Sequence, residues 1–91
     1  MLVLVVYDIP DDRRRYKLSK FLEGQGRRVQ KSVFECFMEL EEMRRLLPRV
    51  KRLVEPKEDN VRFYWITESA MKQILTIGSE TPQPPENAII I

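Results

Sequence analysis

Asp8 is the residue from which chemistry could start. It directly follows the apolar run Leu2-Val3-Leu4-Val5-Val6-Tyr7. A carboxylate oxygen at the margin of such a run suits Mg²⁺ or Mn²⁺, and no softer ligand stands nearby. The competing reading is a turn residue that leads into the Asp11 loop. One carboxylate alone is a poor metal site. A homodimer whose two-fold axis passes near Asp8 would bring two together, and a divalent cation would relieve their repulsion. Metal-assisted hydrolysis by water needs no histidine. The chain has none, which excludes Ser/His triads, Cys/His dyads, His-pair ribonucleases and His-ligated zinc. The single cysteine, Cys36, allows no internal disulfide and no Cys cluster. Between Phe34 and Met38 it reads as a small buried hydrophobe.

A basic set accompanies the carboxylate: Arg13, Arg14, Arg15, Lys17, Lys20, Arg27, Arg28 and Lys31, with Glu23 the only acid between Arg13 and Lys31. Such a run often serves only as a solvated face. Here arginine dominates, and its planar fork suits phosphate oxygens. Contacts of that kind grip a nucleic-acid backbone with little sequence choice. A second basic group, Arg44, Arg45, Arg49, Lys51 and Arg52, follows Glu39, Glu41 and Glu42. At i, i+3 and i, i+4 spacing these can pair, so the group reads as mostly structural. The net charge of +2 therefore conceals segregation. Residues 1–31 and 44–57 are basic, whereas 32–43 and 58–91 are acidic. Tyr7, Phe34, Tyr64 and Trp65 could stack bases, with core and dimer packing as the alternative, favoured for Trp65.

Positioning these groups requires elements, and 91 residues allow a single domain. Leu2–Tyr7 reads as a central strand. Asp11 or Asp12 caps a helix over residues 12–24, with Leu18, Phe21 and Leu22 as its apolar face and Gly24 or Gly26 as its stop. In residues 27–40 the apolar parity flips near Lys31–Phe34, which predicts a turn or bulge between two strands. A second helix covers residues 41–54. Pro48 falls inside it, so this helix either bends there or starts later. Val61–Ile66 is a strand, Glu68–Lys72 one helical turn, and Gln73–Ile77 a further short strand. Residues 79–91 form a proline-rich connector and an edge-seeking terminal strand, Ala88–Ile91, outside a domain of residues 1–78. The order is that of an α+β, ferredoxin-like βαββαβ antiparallel sheet with an extra C-terminal strand. Both helices cover one face of such a sheet. The other face needs a second copy, which again predicts a homodimer. No apolar stretch reaches the ~20 residues of a membrane span. The lack of a leader pattern and of disulfides points to a cytoplasmic protein with no membrane partner.

Four blocks carry a resemblance: Val5-Val6-Tyr7-Asp8-Ile9, Asp12-Arg13-Arg14-Arg15-Tyr16-Lys17, Gly26 to Cys36 with Arg28-Val29-Gln30 and Ser32-Val33-Phe34-Glu35, and Asn60-Val61-Arg62-Phe63-Tyr64. In this order the chain resembles CRISPR-associated protein two, the small core protein of CRISPR adaptation. The resemblance implies a ferredoxin-like homodimer with a C-terminal strand packed across it. It implies a Mg²⁺- or Mn²⁺-dependent endonuclease, cutting single-stranded RNA or double-stranded DNA, that works with the CRISPR integrase (CRISPR-associated protein one) in spacer acquisition. By position, Asp8 is the metal ligand and catalytic residue. Tyr7, Arg28 and Phe34 adjoin the site, and Arg14, Arg15 and Lys17 are backbone contacts. Read together with the charge pattern, the nucleic-acid set is Arg13, Arg14, Arg15, Lys17, Arg28 and Lys31. Two alternatives accompany the enzyme reading: a non-catalytic scaffold for DNA and the integrase, and a ribonuclease toxin of the virulence-associated protein D type. Pro48 departs from the family pattern.

Overall fold

The computed structural model of the chain describes residues 1–84. Its elements are β1 (Leu2–Asp8), α1 (Asp12–Glu23), β2 (Arg27–Gln30), β3 (Val33–Phe37), α2 (Leu40–Lys51), β4 (Asn60–Ile66) and α3 (Glu68–Met71). The strands form one sheet in the order β2-β3-β1-β4, and every neighbouring pair is antiparallel. This is the ferredoxin-like arrangement, two split βαβ units sharing a sheet. The terminal strand expected at Ala88–Ile91 lies outside the described residues.

Alternation along β1 divides the sheet. Val3, Val5 and Tyr7 point to the helical side, where they join Leu18 and Leu22 of α1, Phe34 and Cys36 of β3, and Leu46 and Val50 of α2. The facing positions on β4, Val61, Phe63 and Trp65, pack against that core half-buried. Leu4, Val6 and Asp8 take the other face. Their cross-strand partners are Glu35 and Val33 on β3 and Tyr64, Arg62 and Asn60 on β4. Neither α1 nor α2 covers that face, and apart from Leu2, which is buried, its apolar members stay half-exposed.

Each helix start has a local cause. Asp11 caps α1 by accepting from the Arg14 N–H at 2.9 Å. Glu39 and Glu42 form a capping box at the start of α2. The parity flip resolves as expected: Lys31 and Ser32 make the turn, and a bulge falls between Arg28 and Gln30. Helix α2 begins at Leu40 and runs through Pro48, which overturns a later start. Pro48 sits on the exposed side of α2, so the carbonyl it leaves unpaired faces water rather than the core.

The strand expected over Gln73–Ile77 does not form in the protomer. Helix α3, capped by Thr67, turns the chain away from β4, and the segment pairs with neither sheet edge, although Ile74 and Thr76 line a cavity of about 570 Å³ together with Arg27–Gln30 of the edge strand β2. Leu75 and Ile77 are left almost wholly in water. No helix among the described residues is long and apolar enough to cross a membrane.

Gly26 is required for close approach. A Cβ there would sit 2.4 Å from the Glu35 carbonyl oxygen and 2.5 Å from the Cys36 Sγ. The backbone of β3 cannot retreat without breaking its pairing with β1. Gly26→Ala is therefore expected to cost about 1–3 kcal/mol, read as a lowered urea midpoint at unchanged slope. An unaltered midpoint would show that the α1–β3 approach is loose.

Candidate nucleic-acid and metal site

Asp8 ends β1 opposite Asn60 of β4, and its side chain is exposed at the rim of the open sheet face. Among the described residues it makes no ion pair and no side-chain hydrogen bond. Ile9 after it is buried at 2% exposure, which anchors the strand end, and Asp11 then starts α1. The backbone here is held by Arg15, whose guanidinium donates to the Ile9 carbonyl at 2.8 Å and pairs with Asp12. Arg15 thus clamps the β1–α1 loop and keeps Asp8 at a fixed position.

A single chain does not suffice for a divalent cation. Among the described residues no three His, Cys, Asp or Glu side chains converge. Mg²⁺ and Mn²⁺ favour oxygen ligands, and Asp8 supplies that chemistry but only half of a carboxylate pair. The residues fit such an ion when a second Asp8 is brought alongside.

Tyr7 and Phe34 lie beneath this rim, on the helical side. They are 4% and 0% exposed, with ring centroids 6.4 Å apart. Burial pushes the Tyr7 phenol above its ordinary range, while Arg28 and Arg15 pull it the other way. Its hydroxyl approaches the Lys31 carbonyl at 3.5 Å. Both rings are support for the strand end and do not reach solvent, so they offer no stacking platform. Trp65 is half-buried against the core, and Tyr64 stands 44% exposed on the open face.

The basic residues divide by what holds them. Arg28 lies 5.2 Å over the Phe34 ring, donates to the Lys31 carbonyl at 3.0 Å and faces Glu23 at 3.6 Å. Arg14 is engaged more fully. It donates to Asp59 at 2.8 and 3.1 Å and to Glu58 at 2.9 Å, tying α1 to the loop before β4. Asp59 also accepts the Glu55 N–H at 2.7 Å, and its side chain is shut off from solvent. Arg13, Lys17 and Lys31 are exposed and form no ion pair among the described residues. A cleft of about 300 Å³ between α1 and the β2–β3 turn is lined by Tyr7, Asp12, Arg15, Tyr16, Arg28 and Lys31.

Two residues escaped the sequence reading of the site. Tyr16, 62% exposed in this cleft with Lys20 5.7 Å from its ring, is the aromatic that can meet a ligand. Arg62 sits diagonally across from Asp8 on the open face and donates to the Tyr64 hydroxyl at 3.3 Å. The alternation Asn60-Val61-Arg62 carried the second signal. Nothing in the α1 sequence distinguishes an outward tyrosine from a core one beyond its distance from the Leu18–Leu22 face.

The hydrogen bond from Arg14 is the main reason the Asp59 carboxyl is held below the usual carboxylate range. A depressed folded-state pKa contributes stability that is present above the unfolded value, ~4, and is lost as pH falls through the lower folded value. Asp59→Asn is therefore expected to lower the melting temperature at pH 7 and to flatten its decline between pH 4 and 2. Parallel melting curves of the two proteins over that range would refute the clasp.

A family model described as "CRISPR associated protein Cas2" matches residues 1–74. The chain is 38% identical over 90 residues to a CRISPR-associated endoribonuclease Cas2 of Synechocystis sp., covering 99% of this chain and 98% of the relative. It is 42% identical over 92 residues to another so named in Chloroflexus aurantiacus, covering 100% and 99%. Among solved structures, a chain of a partial Cas6-RT-Cas1–Cas2 complex superimposes with a TM-score of 0.75 at 32% identity. That match covers 92% of this chain and 93% of the other.

Proposed function

The chain belongs to the CRISPR-associated protein Cas2 family, and on that premise we propose that it is a homodimeric, divalent-metal-dependent endonuclease serving CRISPR adaptation beside a Cas1 integrase. One observation carries the reading: Asp8, which has no ion-pair partner among the described residues, stands on the open sheet face beside Leu4 and Val6, which a lone protomer leaves half-exposed. Closing two such faces buries those side chains, at about 25 cal/mol per Å² of apolar area, and brings the two Asp8 carboxylates towards each other. The two carboxylates would hold a Mg²⁺ or Mn²⁺ ion, which supplies a polarised water and Lewis-acid help to the phosphate.

The protein's own residues do the rest. Arg15 keeps the strand end in place, so the carboxylate is pre-positioned. Arg13, Lys17 and Lys31 provide uncommitted charge for backbone phosphates. Tyr16 offers a ring at the cleft for a base or sugar. The relatives named as endoribonucleases and the neighbour solved with Cas1 support a nuclease that works beside Cas1. A scaffold reading is favoured by a separate fact: one carboxylate per chain and no histidine leave no general base beside the metal.

Cleavage of single-stranded RNA and of duplex DNA in Mg²⁺ tests the first reading. Asp8→Ala is expected to lower the rate by about 100-fold or more, and a chelator to do the same, while the mass in solution stays that of a dimer. Undiminished cleavage would remove Asp8 from the chemistry. Full spacer acquisition in cells by Asp8→Ala, despite lost cleavage, would select the scaffold.

A further inference from the structure

The second basic group does not behave as its spacing predicts. Glu41 precedes Arg44 and Arg45 by three and four residues and Glu42 precedes Arg45 by three, yet among the described residues no ion pair within 4.0 Å joins them. The capping box engages two of the three acids ahead of these bases. The Glu39 side chain accepts a backbone N–H of the first turn, and the Glu42 carboxylate accepts the Glu39 N–H at 3.3 Å. Glu39 and Glu42 complete the helix start, and Arg44, Arg45, Arg49 and Arg52 form no ion pair among the described residues.

From Arg44 to Arg52 the chain contains five bases and no acid. The helical period puts Leu46 and Val50 on the core side and Arg44, Arg45, Pro48, Arg49 and Arg52 on the outer side. All five of those outer residues, and Lys51, are exposed. One of them is fixed in place: the Arg49 guanidinium lies 4.7 Å over the Phe21 ring of α1. The charged face of α2 therefore abuts α1 at this seam, on the helical side of the sheet and away from Asp8.

We infer that this outer face of α2 is a second docking surface, for the phosphate backbone of duplex nucleic acid. The inference rests on the nucleic-acid reading given above and adds a surface on α2, separate from Arg13 and Lys17 of α1. The chemistry favours a duplex. The α2 face presents no aromatic for unstacked bases, and Arg49 covers the one ring nearby, whereas single strands are held largely by stacking. Arginine forks on a helix match phosphate oxygens. Arg44 and Arg52 are separated by about 12 Å along the axis, close to the ~12 Å width of a major groove, so one helix can reach phosphates on both of its sides.

The test measures binding of a 30-base-pair DNA duplex to the full chain without metal, across a salt series. It compares wild type with R44Q/R45Q/R52Q and with R13Q/K17Q. Each lost phosphate contact lowers the slope of log K against log salt by about 0.9. The α2 triple variant is expected to lose about 2.7 from the slope and about tenfold or more in affinity at low salt. Single glutamine variants, which keep helix propensity, should each lose about 0.9 and guard against misfolding of the triple. An unchanged slope in all α2 variants, with a drop only in R13Q/K17Q, overturns this inference alone. Failure of wild type to bind any duplex overturns the nucleic-acid reading with it. Displacement by polyglutamate as effective as by duplex at equal charge overturns the duplex assignment in favour of an acidic protein. Equal retention of a single strand overturns it in favour of an unpaired substrate.

Discussion

The alternation of side chains along β1 is the constraint on which the rest depends. β1 is hydrogen-bonded on both edges, to β3 and to β4, so it cannot slip by one residue without exchanging its two faces. Val3, Val5 and Tyr7 must face the helices because Leu18, Leu22, Leu46 and Val50 supply apolar cover there. Leu4, Val6 and Asp8 must then face the other way. The same rule that buries Tyr7 delivers the next residue, Asp8, to the open side at the strand's end. Core and candidate site are thus one decision taken twice along a single strand.

Electrostatics divides the arginines into those that build and those that remain available. Arg14 clasps Asp59 and Glu58, Arg15 clamps the β1–α1 loop, and Arg28 lies on Phe34. Their charge is largely answered by nearby carboxylates and carbonyls. Arg13, Lys17 and Lys31, together with the outer row of α2, have no such answer. A bare tally of +2 hides this, since the field a phosphate meets depends on which charges are already paired. Two basic regions, one on α1 with the β2–β3 turn and one on α2, follow from where the carboxylates are engaged, not from how many there are.

The open sheet face and the segment after α3 raise one packing problem. Val33, Phe37 and Ile66 share the half-exposed face with Leu4 and Val6, and Leu75 and Ile77 stand in water beyond it. A lone protomer has no further helix to cover them. The ferredoxin-like order places both helices on one side and leaves the other for association.

Much of this was legible in the residues because it follows from short-range rules. The apolar run of β1, the Asp11 cap, the parity flip at Lys31–Ser32 and the aromatic alternation of β4 are local patterns, and together they specify the element order. Asp8 stood out for the same reason, as a carboxylate directly after a buried strand. What the tertiary structure alone decided concerns partners distant in sequence. Arg14 lies 45 residues from Asp59, and no spacing rule announces that pair. Glu42 had two uses open to it, capping the start of α2 and pairing with Arg45, and only the folded helix start selects the first. The segment over Gln73–Ile77 has strand composition but pairs with no strand among the described residues: Ile74 and Thr76 face the edge strand β2 across a cavity, and no spacing rule in the sequence sets that separation.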